Sequence, residues 1–149
     1  MVTTADSKTI VAHSESGLRT VIHMRGHSIV ADEPVLKGGT DEGPMPYDLL
    51  TGALGACIAM TARLYADRKG WPLEGITVRL RHSKVYEKDC EDCDKAPVGV
   101  DQIEREIELH GPLTDEQRAR ILTIADRCPV KQTFERGIRI APMTASAGA

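Results

Sequence analysis

The apolar and polar positions divide the chain into segments of strand and helix character. Three β-branched segments near the N-terminus are separated by turn residues, which predicts an antiparallel meander. These segments are residues 9–13, 18–24 and 27–32. Residues 75–86 and 102–110 alternate apolar with polar side chains, which is typical of strands with one solvated face.

A long helix is predicted between the two groups of strands, after a mobile polar loop at residues 37–43. Pro46 can occupy its first turn, because the N–H that proline lacks would be unpaired there. Apolar residues recur at helical spacing, and they are Leu50, Leu54, Cys57, Met60 and Leu64. Alanine and glycine fill the opposite side as far as Arg63, so the pattern predicts a helix buried on most sides.

Two shorter helices and a last strand are predicted after the second group of strands. Thr114 and Gln117 form a capping-box pattern, which indicates that a helix begins there, and this helix is expected to end near Cys128. Residues 130–134 are expected to form a short helical piece and residues 137–140 a strand. The order βββ-α-ββ-α-(α)-β has no regular βαβ alternation, so we expect an α+β fold.

The length of 149 residues fits a single domain. We expect the domain to span residues 1–149, with an ordered core over about residues 8–141 and a frayed tail at 142–149. With one Phe, one Trp and three Tyr, the core must consist mainly of aliphatic, Ala and Met side chains. A partner subunit is expected to complete a core of this kind.

The charge and the cysteines limit the possible partners and compartment. A formal net charge of −3 shows no basic surplus, so it gives no reason to expect a surface that binds nucleic acid or an anionic membrane. No apolar run is expected to cross a bilayer, because charged residues such as Arg63 and Asp67 interrupt the longest one, and the N-terminus lacks the pattern of a signal peptide. We therefore expect a cytoplasmic protein, in which the four cysteines are thiols, metal ligands or redox centres.

Two of the cysteines lie in or beside helices. Cys57 can be a small apolar filler or a reactive thiol, and it lies beyond the reach of the dipole at the start of its helix. Activation would require a cation from elsewhere in the fold, and the candidates are Arg19, Arg25 and Lys37. Cys128 precedes a proline at the start of the next helical piece, where backbone N–H groups favour a thiolate. By local electrostatics, Cys128 is expected to be better placed than Cys57 to form a thiolate.

The other two cysteines form a Cys-x-x-Cys pair, Cys90 and Cys93, with His82 upstream. This combination is a candidate zinc site, although a closed tetrahedral site needs further ligands. These would have to come from His110, Asp89 or a second chain. The same pair can instead form a hairpin disulfide or remain as two exposed thiols. The sequence shows no phosphate-binding glycine pattern, and it requires no cofactor.

Two stretches of the chain resemble the OsmC/Ohr family, and the element order agrees over about residues 8–141. One is Gly43-Pro44-Met45-Pro46-Tyr47-Asp48-Leu49-Leu50 leading to Ala56-Cys57, and the other is Ala125-Asp126-Arg127-Cys128-Pro129-Val130. Within the family the chain resembles the OsmC-like branch, which has GPxPYxLL before the first cysteine and a DCxxC motif. Here that motif is Asp89-Cys90-Glu91-Asp92-Cys93.

The resemblance implies an intertwined homodimer, in which a long central helix packs on antiparallel sheets and each active site lies at the subunit interface. It also implies a cysteine-based peroxidase acting on organic hydroperoxides. The thiol matching Cys57 would attack the peroxide and become a sulfenic acid, and the thiol matching Cys128 would condense with it to a disulfide. A dithiol, of the lipoyl type or another, would then reduce that disulfide.

The chain departs from the family pattern just before the first cysteine. Peroxidases of the family carry a glutamate directly after the proline matching Pro46, whereas this chain has Tyr47 there and its acid one residue later, at Asp48. One position on a helix rotates a side chain by about 100°. The resemblance implies that Arg19 and Asp48 would assist Cys57 if the protein is a peroxidase.

The alternative is a non-peroxidase member of the family. Such a protein would bind a small apolar or thiol-reactive ligand in the cavity at the dimer interface, with Cys90 and Cys93 holding a metal or nothing.

Overall fold

The computed structural model describes residues 9–85 and 99–143. Three strands are followed by a long helix, two further strands and two helices. They are β1 (Val11–His13), β2 (Thr20–Met24), β3 (His27–Ala31), α1 (Pro46–Lys69), β4 (Gly75–Val85), β5 (Val100–His110), α2 (Asp115–Ala125) and α3 (Pro129–Arg136). The predicted α+β class is confirmed, and so is the predicted order up to α3.

Strands β1 to β3 form the predicted antiparallel meander in the order β1-β2-β3, with Ile22 opposite Ile29. Arg25 and Gly26 connect β2 to β3, and their φ angles are 46° and 80°. A two-residue hairpin with positive φ at both positions matches the right-handed twist of its strands. Arg25, one of the predicted cationic candidates, therefore forms the turn of this hairpin.

The loop after β3 is held by a buried carboxylate, that of Asp32, which is 2% exposed. Asp32 accepts hydrogen bonds from the Thr40 hydroxyl at 2.6 Å and from the backbone N–H groups of Glu33, Thr40 and Glu42 at 2.8 to 3.2 Å. Gly39 lies so close to Glu33 that an added Cβ would be 1.9 Å from its carbonyl oxygen. The loop predicted to be mobile is thus anchored at several points.

Helix α1 buries one narrow stripe in this chain, which consists of Leu54, Ile58, Ala62 and Ala66. The prediction of a helix buried on most sides is wrong for the single chain, because four large apolar residues of α1 are exposed: Tyr47, Leu50, Met60 (64%) and Leu64. These four residues are spaced four apart, so they lie on one face of the helix, and this face packs against the hydrophobic core.

By length and composition, α1 could also span a membrane, which corrects the expectation that charged residues interrupt it too early. Asp67, Arg68 and Lys69 all lie in its last turn. One such helix is weak evidence for a membrane protein, because the core helix of a soluble protein passes the same test.

The contacts divide the chain into two units, Met1–Gly52 with His82–Gln102 and Ala53–Arg81 with Ile103–Ala149. The hydrophobic core cluster lies in the second unit, where Leu73, Leu109 and Leu113 join the buried residues of α1 and α2. In the same unit, ion pairs of Arg79 with Glu108 at 3.0 Å and of Arg81 with Glu104 bridge the antiparallel pair β4 and β5 on its solvated side. The prediction of a single domain stays a prediction.

The last two helices begin where the sequence predicts. Thr114 accepts from the N–H of Gln117, and the Gln117 side chain accepts from the N–H of Thr114, which completes the capping box of α2. Helix α3 ends at Gly137, whose φ is 82°. The predicted strand at residues 137–140 is wrong: among the described residues it pairs with no other strand, and Ile140 is 93% exposed. A strand needs a neighbouring strand for its backbone hydrogen bonds, and none of residues 9–85 and 99–143 provides one there.

Candidate active site

The structure brings Cys57, in the middle of α1, together with Cys128, directly before α3. Both are free cysteines, and Cys57 packs against the core cluster that contains Cys128, near enough to affect the pKa of its thiol. Cys128 is fully buried in the hydrophobic core, while Cys57 is half-buried and packs against that core. Two thiols in such contact can be oxidised to a disulfide.

Cys128 occupies the start of α3 because α2 ends just before it and Pro129 fits the first helical position. Its backbone is outside the helix, with φ −53° and ψ 129°, and its sulfur accepts a hydrogen bond from the N–H of Lys131 at 3.4 Å. The predicted position at a helix N-terminus is therefore correct.

The expected consequence of that position is wrong. Burial raises the pKa of the Cys128 thiol, and the hydrogen bond to Cys57 raises it further. The backbone N–H groups of Lys131 and Val130 lower this pKa, but their effect is smaller. The desolvation of a thiolate in an apolar core outweighs the favourable dipoles of a short helix. The start of α3 therefore does not favour a thiolate at Cys128, which is held as a neutral thiol.

Arg19, the predicted activating cation, pairs with an acid that the sequence did not single out. Its Nε atom donates to Oε2 of Glu42 at 2.5 Å, and both side chains are about half-exposed. The backbone N–H of Glu42 is in turn bound by Asp32. No sequence pattern links Arg19 to Glu42, because the strands β2 and β3 and the anchored loop lie between them.

Asp48, the predicted partner of the activating arginine, has a different local role. Its carboxylate accepts from the N–H of Met45 at 3.0 Å, which satisfies a free donor at the start of α1. Lys37, the remaining cationic candidate, lies 3.8 Å from Glu33 and 3.6 Å from the sulfur of Met45.

Tyr47, the residue directly after Pro46, stacks its ring on His82. The ring centroids are 4.5 Å apart, and the two planes differ by 14°. Nε2 of His82 hydrogen-bonds to Oδ1 of Asp101 at 2.8 Å. His82 therefore retains only Nδ1 for any metal. Cys90 and Cys93 lie outside the described residues, and the zinc site stays a prediction.

The model of one protein family, described as OsmC-like protein, matches residues 39–142, which is most of the chain. The chain belongs to the OsmC-like protein family. In a comparison with curated proteins, no sequence matches it.

Solved structures share the OsmC-like fold. A protein from Psychrobacter arcticus, named for osmotic stress induction and a detoxification response, has a TM-score of 0.66 and 23% identity over 85% of this chain and 87% of its own. An OsmC-like protein from Mycoplasma pneumoniae has a TM-score of 0.60 and 21% identity over 85% and 84%. An organic hydroperoxide resistance protein OsmC from Legionella pneumophila has a TM-score of 0.59 and 16% identity over 85% and 88%. At identities this low, the comparisons show a shared fold.

Proposed function

We propose that this OsmC-like protein is a thiol-dependent peroxidase that reduces organic hydroperoxides. The observation that carries the proposal is the contact between the half-buried Cys57 and the buried Cys128 inside one hydrophobic core. The fold shared with an organic hydroperoxide resistance protein supports the same substrate class.

Cys57 is the sulfur that attacks the peroxide. It bonds to the terminal oxygen of the hydroperoxide, the O–O bond breaks, and the alcohol leaves with a proton, so that Cys57 becomes a sulfenic acid. The raised pKa of Cys128 supports this order, because a neutral thiol is the weaker nucleophile and does not compete for the peroxide.

Cys128 then resolves the sulfenic acid. Its sulfur bonds to the sulfur of Cys57, the S–O bond breaks, and water leaves with the proton of the Cys128 thiol. A dithiol of the lipoyl type returns both cysteines to thiols and becomes a disulfide itself. The apolar surroundings of the pair suit a hydroperoxide with a hydrocarbon substituent.

Arg19 is assigned the role of the cation that activates the thiol. Its ion pair with Glu42 supports the assignment of Glu42 as the acid that orients it. Asp48 then caps the start of α1 and does not orient the arginine. This role is consistent with its position one residue after that of the glutamate in the family pattern.

The active form is proposed to be a cytoplasmic homodimer. The exposed apolar side chains of α1, together with Ile138, Ile140 and Met143, support a partner subunit, because exposed apolar patches mark interaction surfaces. A reducing compartment would keep both thiols available for catalysis.

Steady-state reduction of cumene hydroperoxide by dihydrolipoamide tests the proposal. The wild-type protein is expected to turn over, Cys57→Ser to lose turnover, and Cys128→Ser to accumulate a sulfenic acid at Cys57 that dimedone traps. Thr123→Ala, an exposed substitution on α2, is the matched control and should turn over like the wild type. Wild-type turnover no faster than that of Cys57→Ser would rule out the peroxidase.

A further inference from the structure

The sulfur of Cys128 has two roles, because it caps the start of α3 and also belongs to the cysteine pair. It is the N-cap of α3, accepting from the N–H of Lys131 at 3.4 Å, and the backbone N–H of Val130 also lowers the pKa of its thiol. The first turn of α3 contains no acidic side chain that could replace it. Loss of an N-cap leaves backbone donors at a helix start without a partner.

Helix α3 is short enough to depend on this cap. It has eight residues, and helices of that length are not stable without tertiary contacts. Val130 and Phe134 pack against the hydrophobic core, and an ion pair of 2.5 Å joins Lys131, whose side chain is half-buried, to the exposed Glu135 one turn later. The first turn is therefore held by the Cys128 cap, by the packing of Val130 and by the Gln132 side chain, whose Nε2 donates to the carbonyl of Arg127 at 3.2 Å.

The two roles of the sulfur conflict when the cysteines are oxidised. One rotatable bond connects the Cys128 backbone to its sulfur, so the side chain cannot be placed independently for a helix cap and for a disulfide. A covalent S–S bond of about 2.05 Å requires a closer approach to Cys57 than the thiol contact in the structure. The sulfur must therefore move from the position in which it accepts from the N–H of Lys131 at 3.4 Å.

We propose that α3 is a redox-responsive element whose first turn loosens when the Cys57–Cys128 disulfide forms and re-forms when the disulfide is reduced. The proposal rests on the proposed function only for the existence of that disulfide. Loosening has a use in the cycle, because Cys128 is fully buried in the reduced protein and a dithiol could not reach its sulfur there.

Amide hydrogen exchange at α3, measured by NMR on the intact protein, tests the proposal. The thiol oxidant diamide accepts the two thiol hydrogens on its N=N bond as the S–S bond forms, so oxidation needs no peroxidase activity. In the oxidised wild-type protein, the Lys131 amide should exchange about five- to tenfold faster than in the reduced protein, as expected for a lost N-cap. Amides of α2, which Thr114 caps, should keep their rates.

Two variants separate capping from oxidation. Cys57→Ser keeps the cap and cannot form the disulfide, so diamide should leave the α3 rates unchanged. Cys128→Ser also prevents the disulfide and places a good capping hydroxyl at the same position, so its α3 should stay protected with or without oxidant.

The outcomes distinguish this proposal from the peroxidase. If mass spectrometry shows the disulfide and the Lys131 amide exchanges at the reduced rate, the redox response of α3 is refuted while the peroxidase stands. If diamide loosens α3 but cumene hydroperoxide is not turned over, the redox response stands and the peroxidase fails. If diamide produces no Cys57–Cys128 disulfide, the redox response is refuted.

Discussion

Nε of Arg19 lies 2.5 Å from Oε2 of Glu42, which makes Glu42 the acid that holds this arginine in the structure. The carboxylate of Asp48 instead accepts a hydrogen bond from the N–H of Met45 at the start of α1. A carboxylate orients a planar guanidinium through charge-assisted hydrogen bonds. Replacing the carboxylate of Glu42 by an amide removes the negative charge that strengthens these bonds.

Substitutions of Arg19 and Glu42 should therefore lower the peroxidase activity, whereas a substitution of Asp48 should not. We expect Arg19→Gln and Glu42→Gln each to lower kcat/KM for cumene hydroperoxide about tenfold, and the double variant to lose little more than the larger single effect. Asp48→Asn should keep kcat/KM and lower the free energy of unfolding by about 0.5 kcal/mol, through the weaker cap of α1. Equal losses of kcat/KM in Asp48→Asn and Glu42→Gln would contradict this assignment.

The buried Asp32 should make stability depend on pH in the acid range. The Thr40 hydroxyl lowers the pKa of Asp32 from 3.8 to about 2, against the opposing effect of burial and with help from the N–H groups of Glu33, Glu42 and Thr40. Because the folded-state pKa is the lower one, the ionised carboxylate stabilises the fold fully above pH 3.8, and this contribution is lost as the pH falls to about 2.

Thermal unfolding of Asp32→Asn at several pH values checks this dependence. The variant should have a lower Tm than the wild-type protein at neutral pH, and the difference should shrink between pH 4 and pH 2, where the wild-type carboxylate becomes protonated. A difference that is constant over this range would show that the charge of Asp32 does not contribute.

The capping box of α2 should be worth more than other threonine hydrogen bonds in the same helix. Thr114→Ala is expected to lower the free energy of unfolding by about 1 kcal/mol, because it leaves an N–H group at the helix start without its acceptor. Thr123→Ala removes an exposed hydroxyl that bonds back to the carbonyl of Ala119, and it should change stability by less than about 0.5 kcal/mol. Urea unfolding of both variants measures the difference.

Neighbouring positions of α2 should differ sharply in their contribution to the core. Ile121 is fully buried, and Ile121→Ala should lower the free energy of unfolding by about 2–5 kcal/mol through lost burial and a cavity. Leu122 is 38% exposed, and Leu122→Ala should cost about 1 kcal/mol or less. Similar losses for the two variants in urea unfolding would show that a partner subunit covers Leu122.

Interactions between residues close in the chain could be predicted from the sequence. The capping pair of Thr114 and Gln117, the start of α1 at Pro46 and the turn at Gly26 all appear in the structure as expected. Each depends on the backbone geometry of a few neighbouring residues, so the residue types are sufficient to specify it. The same locality explains why the pattern placed Cys128 correctly at the start of α3.

Features that depend on distant residues were decided by the tertiary structure. The sequence alone determined the element order up to α3, the helix caps and the family pattern around Cys57 and Cys128, since these are properties of local segments. Only the folded chain decided that Glu42 pairs with Arg19, that residues 137–140 form no strand in the described chain, and that burial raises the pKa of Cys128. Desolvation and ion pairing depend on which segments meet in space, and no spacing along the chain records that.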